Sequence, residues 1–237
     1  MFSKIKELMD MYDKWYNELG KINDRMFLPE KSNQFSNPYY VDVPDNWESS
    51  PNRIMIIGEE GRGSGNKYNK EEMIKYNRDV RQAKLYGEKN GYEKNITNFW
   101  IRFKKVKCLF DGQSCSFIWN EIDKVHKNIG NDCVLNNTQR KYLHSTDTKI
   151  LAEEIRITKP TMVIFFGWHY ISLKEELPEL CKLICLDEKN YITRWNNEKI
   201  CSFLIDGITY ILANHPNFKK HEYEDAVINE ISKPQII

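Results

Sequence analysis

The first twenty residues place apolar side chains three to four positions apart, with Lys and Glu between them. This spacing predicts an amphipathic helix over residues 2–19, which packs its apolar face against another element. A polar, proline-containing stretch follows from about 29 to 52, and its composition is typical of a long surface loop. The helix and its connector, residues 1–50, are therefore predicted to form an N-terminal addition to the main domain.

Further along the chain, four short apolar runs are typical of buried strands. They are RIMIIG (53–58), TMVIFFG (161–167), KLICLD (182–187) and ITYILANHP (208–216). Helical patterns lie at about 70–86, 147–158 and 221–232. The patterns of 99–110 and 116–125 do not distinguish helix from strand. This alternation predicts an α/β fold, a single three-layer domain over residues 51–237 with a mostly parallel central sheet.

Composition and charge limit the classes of function that suit this sequence. Apolar residues make up 41% of the 237 positions and charged residues 29%, as in a folded domain. With 35 basic and 34 acidic side chains the chain has no overall basic field, so any nucleic-acid contact must come from a local patch. No apolar stretch approaches the roughly 20 residues that span a bilayer, and the charged N-terminus lacks a signal-peptide core. We therefore expect a cytoplasmic protein without a membrane partner.

The six cysteines contain no Cys-x-x-Cys pair, and the one close pair, Cys181 and Cys185, lies in an apolar run. In a reducing cytoplasm such cysteines are expected to be buried free thiols. A metal site formed by this pair together with Cys201 is the weaker alternative, so we expect no metal.

Three of the predicted strands deliver polar groups at their carboxyl ends, the edge at which ligands bind in parallel sheets. These ends are Gly58-Glu59-Glu60, Gly167-Trp168-His169 and His215-Pro216-Asn217. In the glycine-rich loop after the first strand, exposed backbone N–H groups are suited to face a phosphate or a base edge. Adjacent strand residues point in different directions, so one of Glu59 and Glu60 is expected to face a pocket.

The turn after the last strand combines a histidine with a proline. Pro216 fixes the turn and removes a donor, so His215 is held by a rigid backbone at the sheet edge. A fixed imidazole can donate a hydrogen bond to an oxygen on which negative charge develops. Lys219 and Lys220 follow and are suited to hold phosphates, whereas a satisfied structural histidine is the alternative interpretation of His215.

Five segments together resemble the uracil-DNA glycosylase superfamily, over about residues 53–220. IMIIGEEGRG (54–63) is similar to that family's Gly-Gln-Asp-Pro or Gly-Glu-Ala-Pro-Gly loop, and YILANHPN (210–217) to its His-Pro-Ser turn. Other family-like segments are TNFWIRF (97–103), SFIWNEI (116–122) and KPTMVIFFG (159–167). The sequence departs from the family at Gly61, where the loop has proline, and at Asn217, where the turn has serine.

The resemblance implies a base-excision enzyme of DNA repair that hydrolyses the N-glycosidic bond of uracil or a related base in DNA, without a cofactor. Glu59 or Glu60 would stabilise the sugar cation and orient water, and His215 would stabilise the departing base. Asn120 would pair with the pyrimidine, and Phe99 or Trp100 would stack on it. Asn217 would also contact the base. The residues expected on the DNA backbone are Gly61, Arg62, Gly63, Lys219 and Lys220.

Other functions remain open at this level. The departures at Gly61 and Asn217 and the balanced net charge favour a non-catalytic module of the same fold that binds a nucleotide, a base or nucleic acid. An unrelated α/β hydrolase or nucleotide-processing enzyme is a weaker alternative, because the sequence has neither a Gly-x-Ser-x-Gly segment nor a metal-ligand cluster. Asn120 has an alternative role as a helix cap, and Phe99 and Trp100 as core residues.

Overall fold

A computed structural model describes residues 2–26, 39–60, 70–89, 91, 94, 96–124, 137–167, 173–175, 177–195, 199–216 and 221–233. The α-helices are α1 (Phe2–Met26), α2 (Lys70–Tyr86), α3 (Asn98–Leu109), α4 (Asn137–Thr158), α5 (Pro178–Leu183) and α6 (His221–Ser232). The strands are β1 (Asn52–Glu60), β2 (Cys115–Asp123), β3 (Met162–Gly167), β4 (Tyr191–Trp195), β5 (Ile200–Ile205) and β6 (Ile208–Asn214).

The strands form one sheet in the order β2-β1-β3-β6-β5-β4. The pairs β1–β2, β1–β3 and β3–β6 are parallel, whereas β5 runs antiparallel to both β4 and β6. Helices cover both faces of this sheet, as two separate hydrophobic clusters show. The prediction of an α/β fold with a mostly parallel central sheet is therefore confirmed.

The two faces of the sheet carry different helices. Alternate residues of each strand enter opposite clusters, so Ile54 and Ile56 of β1 face one core and Met55 and Ile57 face the other. The first core also contains residues of α3 and α6, and we call it the α3/α6 face. The second contains residues of α1, α4 and α5, and we call it the α1/α4 face.

The N-terminal helix packs as expected, but the connector after it was predicted wrongly where it is described. Leu8, Tyr12 and Trp15 of α1 are buried in the α1/α4 core. Residues 39–50 do not form a surface loop, because Tyr40 and Trp47 are fully buried. The Trp47 indole N–H donates to the Thr158 carbonyl at 2.7 Å, so its aromatic body is buried with its polar group satisfied. Residues 27–38 lie outside the described part of the chain.

Several assignments from local pattern were wrong or incomplete. KLICLD is not a strand: Pro178 starts a short helix, and Leu177, Leu180, Cys181 and Ile184 are buried at helical spacing. The antiparallel strands β4 and β5 were missed. Of the two undecided segments, 99–110 lies in α3 up to Leu109, and 116–125 lies in β2 up to Asp123. Helix α4 begins well before the predicted position 147, whereas β1, β3, β6, α2 and α6 lie close to their predicted ranges.

The prediction that the cysteines are buried free thiols is confirmed only in part. The described cysteines are free; Cys181 and Cys201 are buried as expected, whereas Cys108 and Cys185 are exposed. Within the described ranges, no helix combines the length and apolar character needed to cross a bilayer. The same residues contain no group of three side chains that could hold a metal ion.

Candidate functional site

The candidate site lies where the carboxyl ends of β1, β3 and β6 meet. The chain passes from β1 to β2 on one side and then crosses to β3 on the other, so β1 and β3 flank a topological switch point. In open α/β sheets the crevice outside such a switch point is the usual place for a ligand. The end of β1 carries Glu59 and Glu60.

The register shows that the ends of β1 and β6 are level. Ile57 pairs with Phe165, and Phe165 pairs with Leu212. Glu60 lies three residues beyond Ile57 on β1, and His215 lies three residues beyond Leu212 of β6. Because adjacent strands lie about 4.8 Å apart, the two backbones are separated by about 10 Å across β3. The structure therefore brings together the two motifs that are far apart in sequence.

His215 is half-buried in the turn that follows β6. Burial lowers the pKa of its imidazole below the ordinary value, and the nearby Arg102 guanidinium lowers it further. Both effects favour the neutral imidazole, in which one ring nitrogen is a donor and the other an acceptor. Pro216 is buried directly after it.

Aromatic side chains collect on the α3/α6 face near this edge. Trp100 is buried, stacks on Phe103 with centroids 5.5 Å apart, and meets Trp119 edge-on at 4.8 Å. Phe99 is half-buried at the border of this cluster, with its ring centroid 6.3 Å from that of Phe166. Trp100 is thus a core residue in this structure, and a stacking role remains a prediction for Phe99.

Asn120, predicted to pair with a base, is fully buried on the α1/α4 face. Its Nδ2 donates to Glu154 Oε2 at 2.9 Å, and its Oδ1 accepts from the Lys124 ammonium and from the Glu121 amide. A carboxylate only accepts and an ammonium only donates, so these partners fix the orientation of the amide. Base pairing would require breaking this network. The alternative role as a helix cap is wrong, because Asn120 lies inside β2, whereas its pairing with a base stays a prediction.

Sequence reasoning missed Glu121, which lies beside Asn120 in β2 and is nearly fully buried. It pairs in register with Gly58, and the Trp119 indole N–H donates to its Oε1 at 2.6 Å. A Cβ on Gly58 would lie 2.5 Å from Glu121 Oε2, so only glycine admits the carboxylate against the β1 backbone. The carboxyl edge therefore holds a third carboxylate besides Glu59 and Glu60. No local pattern marks it, because the contact with Gly58 depends on strand pairing.

Several predicted site residues lie outside the described part of the chain. These are Gly61, Arg62, Gly63, Asn217, Lys219 and Lys220, together with Trp168 and His169. For Glu59 and Glu60 the structure gives the backbone position in β1. Their proposed contacts with DNA or base therefore remain predictions.

A comparison with known proteins adds no relative. The sequence matches no protein-family model, and no curated protein matches it. The functional argument therefore rests on the motifs in the sequence and on the geometry of the sheet edge.

Proposed function

We propose that this chain hydrolyses the N-glycosidic bond of uracil or a related base in DNA, as a glycosylase-like enzyme. One observation carries the proposal: the ends of β1 and β6 are level at the switch-point edge, with β3 between them. Glu59 and Glu60 lie at the first end and His215 follows the second. A carboxylate on one side of the β3 end and an imidazole on the other suit a substrate in which opposite charges develop across one bond.

The proposed reaction assigns a role to each group. The bond between the sugar C1′ and the base nitrogen breaks, and its electron pair leaves with the base. His215, as a neutral imidazole, donates a hydrogen bond to the base oxygen that becomes negative. The carboxylate of Glu59 or Glu60 stabilises the positive sugar and takes a proton from the attacking water, whose oxygen bonds to C1′. The departing base gains its proton from solvent.

DNA binding is part of the proposal. The candidates for phosphate contacts remain Gly61, Arg62, Gly63, Lys219 and Lys220, which lie outside the described residues. Because such contacts release counterions, we expect binding to weaken as salt rises. Asn120 is not included in base recognition, since Glu154 and Lys124 occupy its amide group.

The direct test is base release from oligonucleotides that contain uracil, hypoxanthine or a damaged pyrimidine, detected as alkali-labile abasic sites. We expect Glu59→Gln or Glu60→Gln, whichever replaces the active carboxylate, and His215→Gln to lower kcat by about 10²–10³-fold each. Glu153→Gln is the matched control, because this carboxylate is half-exposed on α4. Release of none of these bases by the purified protein would reject the enzymatic proposal.

The second candidate is a non-catalytic module that binds a nucleotide or nucleic acid at the same edge. The internal bonding of Asn120 favours it, because the residue expected to recognise the base is already satisfied within the protein. This candidate predicts thermal stabilisation by uracil, dUMP or a single-stranded oligonucleotide. The stabilisation should survive the double change Glu59→Gln and Glu60→Gln, and its absence for all three probes would exclude the module.

A further inference from the structure

Arg102 of α3 is almost completely buried, with 1% of its surface exposed. The other basic residues of that helix, Lys104, Lys105 and Lys107, all retain more solvent contact. A buried guanidinium is unfavourable unless its donors are satisfied and its charge is balanced. The contacts of Arg102 therefore indicate why the fold tolerates it.

The guanidinium joins three elements at the carboxyl edge. Its Nε and Nη2 donate to Glu224 Oε2 of α6 at 2.9 and 2.5 Å. Its Nη1 donates to the Asn214 carbonyl at the end of β6 at 2.8 Å. The group also lies 5.2 Å from the centroid of the Phe166 ring of β3. A planar fork of donors is required to make these contacts at once.

Asn214 directly precedes His215, and side chains hold both of its backbone polar groups. Arg102 binds the carbonyl, and the amide N–H donates to the Tyr223 hydroxyl of α6. The Tyr223 hydroxyl in turn donates to the Lys199 carbonyl at 3.0 Å. On the other side of His215, Pro216 restricts the backbone through its ring. The backbone that carries the imidazole is therefore fixed from both directions.

We propose that Arg102, held by Glu224, is a positioning residue that fixes the turn bearing His215 and places a permanent positive charge beside its imidazole. The part of the test that uses base release rests on the proposed function, whereas the titration of His215 does not.

The charges around His215 agree with this assignment. Arg102 of α3 and Tyr223 of α6 bind the backbone of Asn214, next to His215. Glu224 of α6 pairs with Arg102 and also contacts Lys105 of α3, at 3.4 Å. Of the further acids of helix α6, Glu222 and Asp225 are exposed, and Glu230 is bonded to Thr193, Ser202 and Lys233. The described residues that end β3, Phe166 and Gly167, have no titratable group. After burial, Arg102 is the cause that lowers the pKa of His215.

Two variants separate the charge of Arg102 from its geometry. Arg102→Lys keeps the positive charge, but a single ammonium cannot reproduce the planar fork that reaches both Glu224 and Asn214. The double change Arg102→Gln and Glu224→Gln removes both charges and leaves no unpaired buried carboxylate. Arg156→Gln on α4 is the control, because Arg156 is more than half exposed and pairs with Glu7 of α1 and Glu153 of its own helix.

The primary measurement is an NMR titration of the His215 ring in histidine-labelled protein, assigned by its loss in His215→Gln. The double variant should raise the pKa of His215 toward the ordinary value near 6.5, Arg102→Lys should raise it less, and Arg156→Gln should leave it unchanged. Folding is checked by circular dichroism and urea unfolding. If the double variant does not fold, the test uses Arg102→Lys alone. In that variant the ring signals of His215 should change, because the turn that carries the ring is no longer fixed. A folded variant with an unchanged His215 titration and unchanged ring signals overturns the proposal.

Base release provides the second readout. Where the wild-type protein releases base, Arg102→Lys should lower kcat by about tenfold to hundredfold, because a small displacement of the imidazole misaligns it. The double variant should move the acid limb of the pH profile to higher pH. A merely structural role of Arg102 would lower stability without moving that limb. Absence of base release from the wild-type protein rejects the proposed function but leaves the titration as a test of Arg102.

Discussion

The ion pair between Lys124 and Glu154 is fully buried, and breaking it tests how strongly a buried charge pair affects the free energy of unfolding of this fold. Lys124 Nζ lies 2.6 Å from Glu154 Oε2, and neither side chain is exposed. Glu154 also accepts from the Tyr12 hydroxyl at 2.6 Å and from Asn120 at 2.9 Å. The pair thereby joins α1, β2 and α4.

Lys124→Met removes the ammonium and leaves a buried carboxylate that Tyr12 and Asn120 alone must stabilise. Breaking one partner of a buried pair costs about 3–5 kcal/mol, because the remaining charge is uncompensated. Arg156→Met is the comparison variant. Arg156 lies on α4, as Glu154 does, and its partners Glu7 and Glu153 are about half exposed. An exposed pair of this kind contributes about 0–1 kcal/mol.

Urea unfolding at pH 7, followed by fluorescence and circular dichroism, measures both free energies of unfolding. The double variant Lys124→Met and Glu154→Met should be more stable than the sum of the single losses predicts, by about 2–3 kcal/mol, because no buried charge remains. The reasoning is refuted if Lys124→Met costs no more than Arg156→Met, or if the two buried changes are additive.

Three further outcomes follow from the same structure. Gly58→Ala should destabilise the fold by about 1–3 kcal/mol in urea unfolding, and adding Glu121→Ala should recover part of this loss, because the clash with that carboxylate disappears. Because the folded pKa of His215 is lowered, the folded state binds its proton less readily; stability should fall as pH drops below about 6.5, and His215→Gln should remove that part of the dependence. Burial raises the pKa of the Cys181 thiol to about 11, so at pH 8 a thiol reagent should modify exposed Cys185 in the native protein and Cys181 only after unfolding, as mass spectrometry of the modified peptides can show.

Local pattern alone was sufficient for the elements whose residues carry their own signal. The apolar runs of β1, β3 and β6 and the helical spacing of α2 and α6 are properties of contiguous residues, so their ranges were predictable. The order of polar groups after these strands also placed Glu59, Glu60 and His215 at one edge, because carboxyl ends of parallel strands meet there.

Features that depend on contacts between residues far apart in the sequence could not be predicted from local pattern. The apolar run 182–187 suits a strand, yet a short helix that begins at Pro178 ends within this run, at Leu183. Residues 39–50 look polar, but Trp47 finds its hydrogen-bond acceptor at Thr158, more than a hundred positions away. Burial of such a segment depends on the surface that receives it.

The same limit applies to the site. A histidine before a proline is visible in the chain, but the Arg102 and Glu224 contacts that hold its turn come from two separate helices. Asn120 carries the chemistry of a base-pairing residue, and only its packing against Glu154 and Lys124 shows that its amide is already occupied. Residue type and order therefore predicted a candidate site at one edge of the sheet, whereas the side-chain partners of Asn120 and of the turn before His215 depend on packing between elements and are visible only in the tertiary structure.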